Sequence, residues 1–147
     1  MNEIIPIASD HAGFELKQSV IDYLVSNGFQ VHDFGTFSPD SVDYPDFVHP
    51  LASAINSAQF SRGIVICGSG NGVSMTANKY PNVRCALCWN EELSSLARQH
   101  NDANILALPA RFIPSDLALL IVQRFLNTPF EGGRHQRRVL KINQLLK

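Results

Sequence analysis

The chain has 147 residues, 45% hydrophobic and 17% charged. That is the size of one ordinary domain, expected over residues 1–147, and such a domain buries a real core. Lys and Arg number 12 against 13 Asp and Glu, a formal net charge of -1. That balance lacks the positive excess required for sequence-independent binding to a phosphate backbone, so no nucleic acid partner is expected. The longest uninterrupted apolar run, Leu117 to Val122, is far too short to span a bilayer. Met1-Asn2-Glu3 is acidic and Asp10 follows closely, so no secretory leader is expected. The cysteines number 3, which does not suggest a disulfide framework. The expectation is a cytoplasmic protein of a reducing compartment, with no membrane contact.

In chain order, Glu3 to Ser9 reads as a buried strand, with Pro6 suggesting an early or edge position. Phe14, Leu16, Val20, Ile21 and Leu24 follow at helical spacing, and Asn27-Gly28 ends that helix. Phe29 to Phe34 is a second strand, Gly35 to Pro45 a polar loop, and a helix runs through Phe47, Leu51 and Ile55. Gly63 to Cys67 is apolar throughout, as a central parallel strand covered on both faces should be. A glycine loop, Gly68 to Gly72, leads into a short helix over Val73 to Asn78. Strands over Val83 to Trp89 and Ile105 to Leu108 flank a helix over Glu91 to Gln99. Helices over Ser115 to Leu126 and Gln136 to Leu146 complete the pattern. The alternation predicts a three-layer α/β/α, Rossmann-like fold: a parallel sheet of about five strands with an added C-terminal helix. In such sheets ligands sit at the carboxyl ends of the strands.

The loop Gly68-Ser69-Gly70-Asn71-Gly72 leaves a central strand and enters a helix, so its backbone N–H groups are free to converge on an anion. A dinucleotide fingerprint fails at Val73, although Glu91 stands where a ribose-binding acid would, and a Walker loop is excluded by the missing Gly-Lys-Ser/Thr. A plain strand-to-helix turn is the other reading. Cys67 directly before the loop is a small buried hydrophobe or, facing a helix N-terminus, a thiolate suited to act as nucleophile or base. Cys85 and Cys88 lie three apart in a strand and so on opposite faces, which suits neither a redox pair nor a zinc site; both are read as structural. Asp10-His11 either caps a helix or opens a titratable pair into the same cleft as Cys67, and His32 and His49 read as surface groups. His100-Asn101-Asp102 closes a helix. Arg134 and Arg138, four apart, share one face near a helix start, where a solvated basic face competes with a phosphate grip. Cations at a helix N-terminus are unfavourable by themselves, which favours an anion there.

Taken together, several blocks resemble the type B ribose-5-phosphate isomerases, within the family that also holds allose- and galactose-phosphate isomerases. They are Ser9 to Gly13, Asp43-Tyr44-Pro45, Cys67 to Gly72, Ala77-Asn78-Lys79, Arg98 to Asn104 and Gly132 to Gln136. The match runs nearly end to end. The resemblance implies interconversion of an aldose phosphate and its ketose through a cis-enediol, without metal or cofactor. It implies that Cys67 is the base, that Gly68, Gly70, Asn71 and Gly72 frame the hole for the enediolate oxygen, and that Ser69 relays a proton. Asp10 and His100 would assist ring opening. His11, Arg111, Arg134 and Arg138 would hold the phosphate, and Asn101 and Tyr44 would contact the sugar. Where other family members place a Glu base, this chain has Val73, and where the first motif often begins with Cys it has Ser9, to which no catalytic role is given. Arg137 receives no role. The implied substrate is ribose 5-phosphate, with allose 6-phosphate or a non-catalytic sugar-phosphate-binding module as alternatives.

One further expectation is topological. Cys67, Asp10 and His11 belong to the carboxyl edge of the sheet, whereas His100, Arg134 and Arg138 belong to its amino edge. A homodimer, or a dimer of dimers, with sites shared between subunits would reunite them.

Overall fold

The structure is a computed structural model that describes residues 3–144. Five parallel strands, β1 (Ile4–Ser9), β2 (Gln30–Asp33), β3 (Gly63–Cys67), β4 (Cys85–Leu87) and β5 (Ile105–Pro109), form one sheet in the order β2-β1-β3-β5-β4. Six helices flank it: α1 (Phe14–Ser26), α2 (Tyr44–Asn56), α3 (Asn71–Ala77), α4 (Glu91–Asn101), α5 (Ser115–Asn127) and α6 (Arg134–Ile142). This is the expected α/β/α architecture with its added C-terminal helix.

The two central strands explain the layering. Every residue of β3 and β5 is buried, so both faces of the sheet must be covered. On one face Ile64, Ile66, Leu106 and Leu108 pack against Leu16, Val20, Ile121 and Phe125 from α1 and α5. On the other Val65, Cys67 and Ile105 pack against Val48, Leu51, Ile55 and Val73 from α2 and α3. Each fully buried aliphatic side chain contributes about 1.5–3 kcal/mol. No helix among the described residues is long and apolar enough to cross a membrane.

Several local expectations need correction. β1 is not at an edge; it lies between β2 and β3. Pro6 is tolerated because the ladder to β3 begins only at Ile7, opposite Ile64. The strand expected over Val83 to Trp89 shrinks to Cys85–Leu87. The Arg84 N–H is taken by the Asn104 side chain at 2.7 Å, ending the ladder early on this edge strand. Tyr44 and Pro45 belong to the first turn of α2 rather than to the loop, where proline's missing N–H costs nothing. The last helix starts at Arg134 and is capped at Asn143; Leu146 lies outside the described residues.

The chain runs outward from β1 to β2 and then reverses into β3, so the switch point lies between β1 and β3. Their carboxyl ends carry Asp10-His11 and Cys67 with the glycine loop.

Candidate active site

At that switch point lies a cleft of about 540 Å³ lined by Asp10, His11, Tyr44, Cys67, Gly68, Ser69, Gly72, Arg111 and Phe112. Asp10 does two jobs. Its Oδ1 accepts the Gly13 N–H at 3.1 Å, capping the 3-10 turn His11–Gly13, and its residue lines the cleft. Gly13 is required there, since a Cβ would sit 2.7 Å from the Ile66 side chain. His11 accepts the Val42 N–H on its Nδ1 at 3.2 Å.

Cys67 is buried and receives the Gly70 N–H on its Sγ at 3.2 Å. Gly70 adopts φ 77 as N-cap of α3, and a Cβ there would meet Leu87 at 2.4 Å. The loop conformation that points an amide at the sulfur is therefore closed to other residues. The Asn71 N–H is engaged by Ser69 Oγ at 3.2 Å. The N–H groups of Gly68, Ser69 and Gly72 meet no acceptor among the described residues. Orphan donors at a strand-to-helix turn suit a developing oxyanion. Arg111 arrives from the turn after β5, whose Ala110 and Arg111 N–H groups bond the Cys67 and Gly68 carbonyls at 2.9 and 3.0 Å. Its guanidinium lies over Gly68, and the Tyr44 ring lies over Gly72. Asn71 faces a neighbouring groove that it shares with Ser69, Trp89 and Phe112.

The other expected residues stand elsewhere. Cys67 pairs with Pro109, the last residue of β5, whereas His100 lies in the last turn of α4, ahead of Ile105, the first. Asn101 lines a separate hollow of about 620 Å³ with Arg84, Cys85 and Ile142, larger than the cleft and without Cys67 in its lining. Arg134 and Arg138 are exposed at the start of α6, and neither forms an ion pair among the described residues. Arg137 is likewise exposed.

His135, which sequence reasoning passed over, joins this second group. Its ring stacks on His100 with centroids 4.2 Å apart and planes 11° from parallel. The Glu131 carboxylate lies 3.9 Å from His100 Nε2 and 3.6 Å from His135 Nε2. The three ligand atoms fall within 4.8 Å of one another. Arg134 and Arg138, on the same helix as His135, add positive charge beside this cluster. The only sequence signal for His135 was its place in the Gly132 to Gln136 block. Phe112, also passed over, was legible from its position beside Arg111 beyond a central strand.

Burial, the His100 ring and the Arg134 guanidinium push the His135 imidazole below its ordinary range. The unfolded chain takes up this proton near pH 6.5 or so while the folded one resists, so the His135 contribution to stability is lost as pH falls through about 6.5 toward the lowered folded value. The Tm advantage of the parent over a His135→Gln variant should therefore narrow from pH 7.5 to 5.5 (roughly the range in which histidine titrates) in thermal unfolding. A constant difference would remove the effect.

Cys85 packs in the core on one face of the sheet and Cys88 in the core on the other. Burial pushes both thiols up to about 12, so both are inert, as expected of structural residues. His32 and His49 are exposed, His49 bonding the Tyr80 hydroxyl at 2.7 Å. Ser9 Oγ is buried with no hydrogen-bond partner among the described residues.

The chain matches the ribose/galactose isomerase family over residues 5–142. It is 40% identical over 141 residues to ribose-5-phosphate isomerase B of Escherichia coli, covering 96% of this chain and 95% of that protein. A crystal structure of a ribose 5-phosphate isomerase from Thermotoga maritima superimposes with a TM-score of 0.95 at 50% identity, over 99% of this chain and 100% of that one. Ribose-5-phosphate isomerase B from Mycoplasma genitalium, solved with bound ribulose-5-phosphate, gives 0.94 at 44% identity, over 98% and 96%. With a match this long and relatives this close, the chain belongs to the ribose/galactose isomerase family.

Proposed function

We propose that this chain is an aldose–ketose isomerase that interconverts ribose 5-phosphate and ribulose 5-phosphate, a step of the pentose phosphate pathway, with Cys67 as base and no metal or cofactor. The observation that carries the reading is the Cys67 sulfur under the Gly70 N–H, among further amides that meet no acceptor among the described residues. The relatives' names supply the five-carbon substrate. Asp10 and His100 assist opening of the furanose. Cys67 then removes the C2 proton of the aldose, and the electron pair moves through the new C1–C2 double bond onto O1. The amides around Gly68, Ser69 and Gly72 stabilise the enediolate. Ser69 passes the O2 proton to O1, and Cys67 returns its proton to C1, leaving the ketose.

His11 and Arg111 hold the phosphate from the cleft side, Arg134 and Arg138 from the other, with Tyr44 and Asn101 on the sugar. Within one subunit these sets stand at opposite edges of the sheet. A two-fold homodimer that sets the amino edge of each copy against the carboxyl edge of the other makes two equal sites. The reading includes one domain over residues 1–147 and a cytoplasmic location. The test is isomerisation of ribose 5-phosphate in deuterated water with a chelator present. Deuterium at C2 of recovered ribose 5-phosphate is expected; tight binding without exchange would make the protein a sugar-phosphate sensor.

Charge-assisted bonds to a dianion are worth on the order of 1.5–3 kcal/mol each, so Arg134→Ala or Arg138→Ala should weaken substrate binding about tenfold or more. Inorganic phosphate should compete with substrate in the parent and much less in either variant. Equal competition in all three would reduce the arginines to a solvated face.

A further inference from the structure

Lys17 is fully buried, and its side chain is among the largest to be so among the described residues. It occupies the core-facing stripe of α1 together with Leu16, Val20 and Leu24. An ammonium at such a position is costly unless it is paired and hydrogen-bonded. Here Nζ donates to Asp33 Oδ1 and to the Thr36 carbonyl, each at 2.6 Å, and lies 5.2 Å from the centre of the Phe37 ring. The same Asp33 oxygen accepts the Gly35 N–H at 2.9 Å. Gly35 and Thr36 are in turn laced to Ser9, whose N–H bonds the Gly35 carbonyl at 2.7 Å and whose carbonyl accepts the Thr36 N–H at 2.8 Å. The buried charge thus fastens the start of the β2–α2 loop to the end of β1, one residue before Asp10. The far end of that loop supplies the Val42 N–H to His11 Nδ1 and then Tyr44 to the cleft.

A ring nitrogen that accepts an N–H cannot carry the proton itself, so His11 holds it on Nε2 and is a donor there. We propose that Lys17 is a positioning residue for the cleft: its ammonium fixes the loop so that Val42 holds His11 as the Nε2–H tautomer, ready to donate to the substrate phosphate. The phosphate part of this rests on the function proposed above; the tautomer part does not.

The test follows the imidazole nitrogens of His11 by NMR alongside ribose 5-phosphate kinetics. In the parent, His11 should give the Nε2–H pattern. In Lys17→Met it should give averaged tautomers, with KM raised about tenfold, the scale of one charge-assisted bond, and kcat within about threefold. The double variant Lys17→Met/Asp33→Asn leaves no unpaired charge buried, and it should behave alike if the single variant does not fold. A lowered Tm with His11 tautomer and KM unchanged would make Lys17 purely structural and overturn the proposal. A proton on Nδ1 in the parent would overturn it without any variant. A parent with the Nε2–H pattern but no isomerase activity would instead sink the functional reading alone.

Discussion

Cys67→Ala should abolish isomerisation while ligand binding stays nearly intact. General acid–base catalysis contributes about 10²- to 10⁴-fold, and no second base stands in the cleft where other family members place Glu, since this position is the buried Val73. A loss of at least that size in kcat is therefore expected, with the affinity for ribulose 5-phosphate changed by less than about threefold because the phosphate grip lies elsewhere. The substitution removes one sulfur from a packed site, so the fold should survive with a loss of about 1 kcal/mol. Controls come from the same sequence: Cys85→Ala and Cys88→Ala should turn over normally, because burial keeps both thiols protonated. Alkylation of the parent should follow the same order, with only Cys67 modified as activity is lost. Near-normal turnover in Cys67→Ala would remove the thiol from the mechanism.

Inactive Cys67→Ala and His100→Ala subunits, mixed and allowed to exchange, should recover activity toward a quarter of normal. β5 separates the two residues, and its 5 residues at about 3.3 Å each span roughly 16 Å, beyond the reach of one imidazole. If His100 acts in the partner's site, a mixed dimer has one site with both lesions and one with neither. On the order of half the dimers are mixed and half of their sites are intact, which gives the quarter. Verified exchange without recovery would place Cys67 and His100 in one subunit's site.

The placement of Cys67 and His100 at opposite edges of the sheet was legible in sequence because position along a β–α–β chain states which edge a residue occupies. Gly63 to Cys67 announced a central strand by being apolar throughout, and the glycine loop after it announced the cleft. Lys17 was illegible for the opposite reason: periodicity counts apolar residues, and a lysine in the buried stripe is explained only by Asp33 and Thr36, partners that no local pattern reveals. Tyr44 looked like loop because Pro45 follows it, although proline is at home in a first helical turn. The short β4 depends on an Asn104 side chain about 20 residues away in sequence, another long-range bond. His135 carried no signal of its own, since its meaning lies in the His100 ring stacked against it.

The strand register also decides the redox chemistry open to the site. Cys67 lies opposite Pro109 and Cys85 opposite Ile105, four residues further down β5 and on the strand beyond it. Cys88 is two strands away as well, about 10 Å across the sheet, and faces the other side. A disulfide needs Cα atoms within about 7 Å, so no thiol within the subunit can resolve an oxidised Cys67. A sulfenic acid formed there can be returned to thiol only by an external reductant. Left alone with peroxide it climbs to sulfinic and sulfonic acid, and the loss becomes permanent.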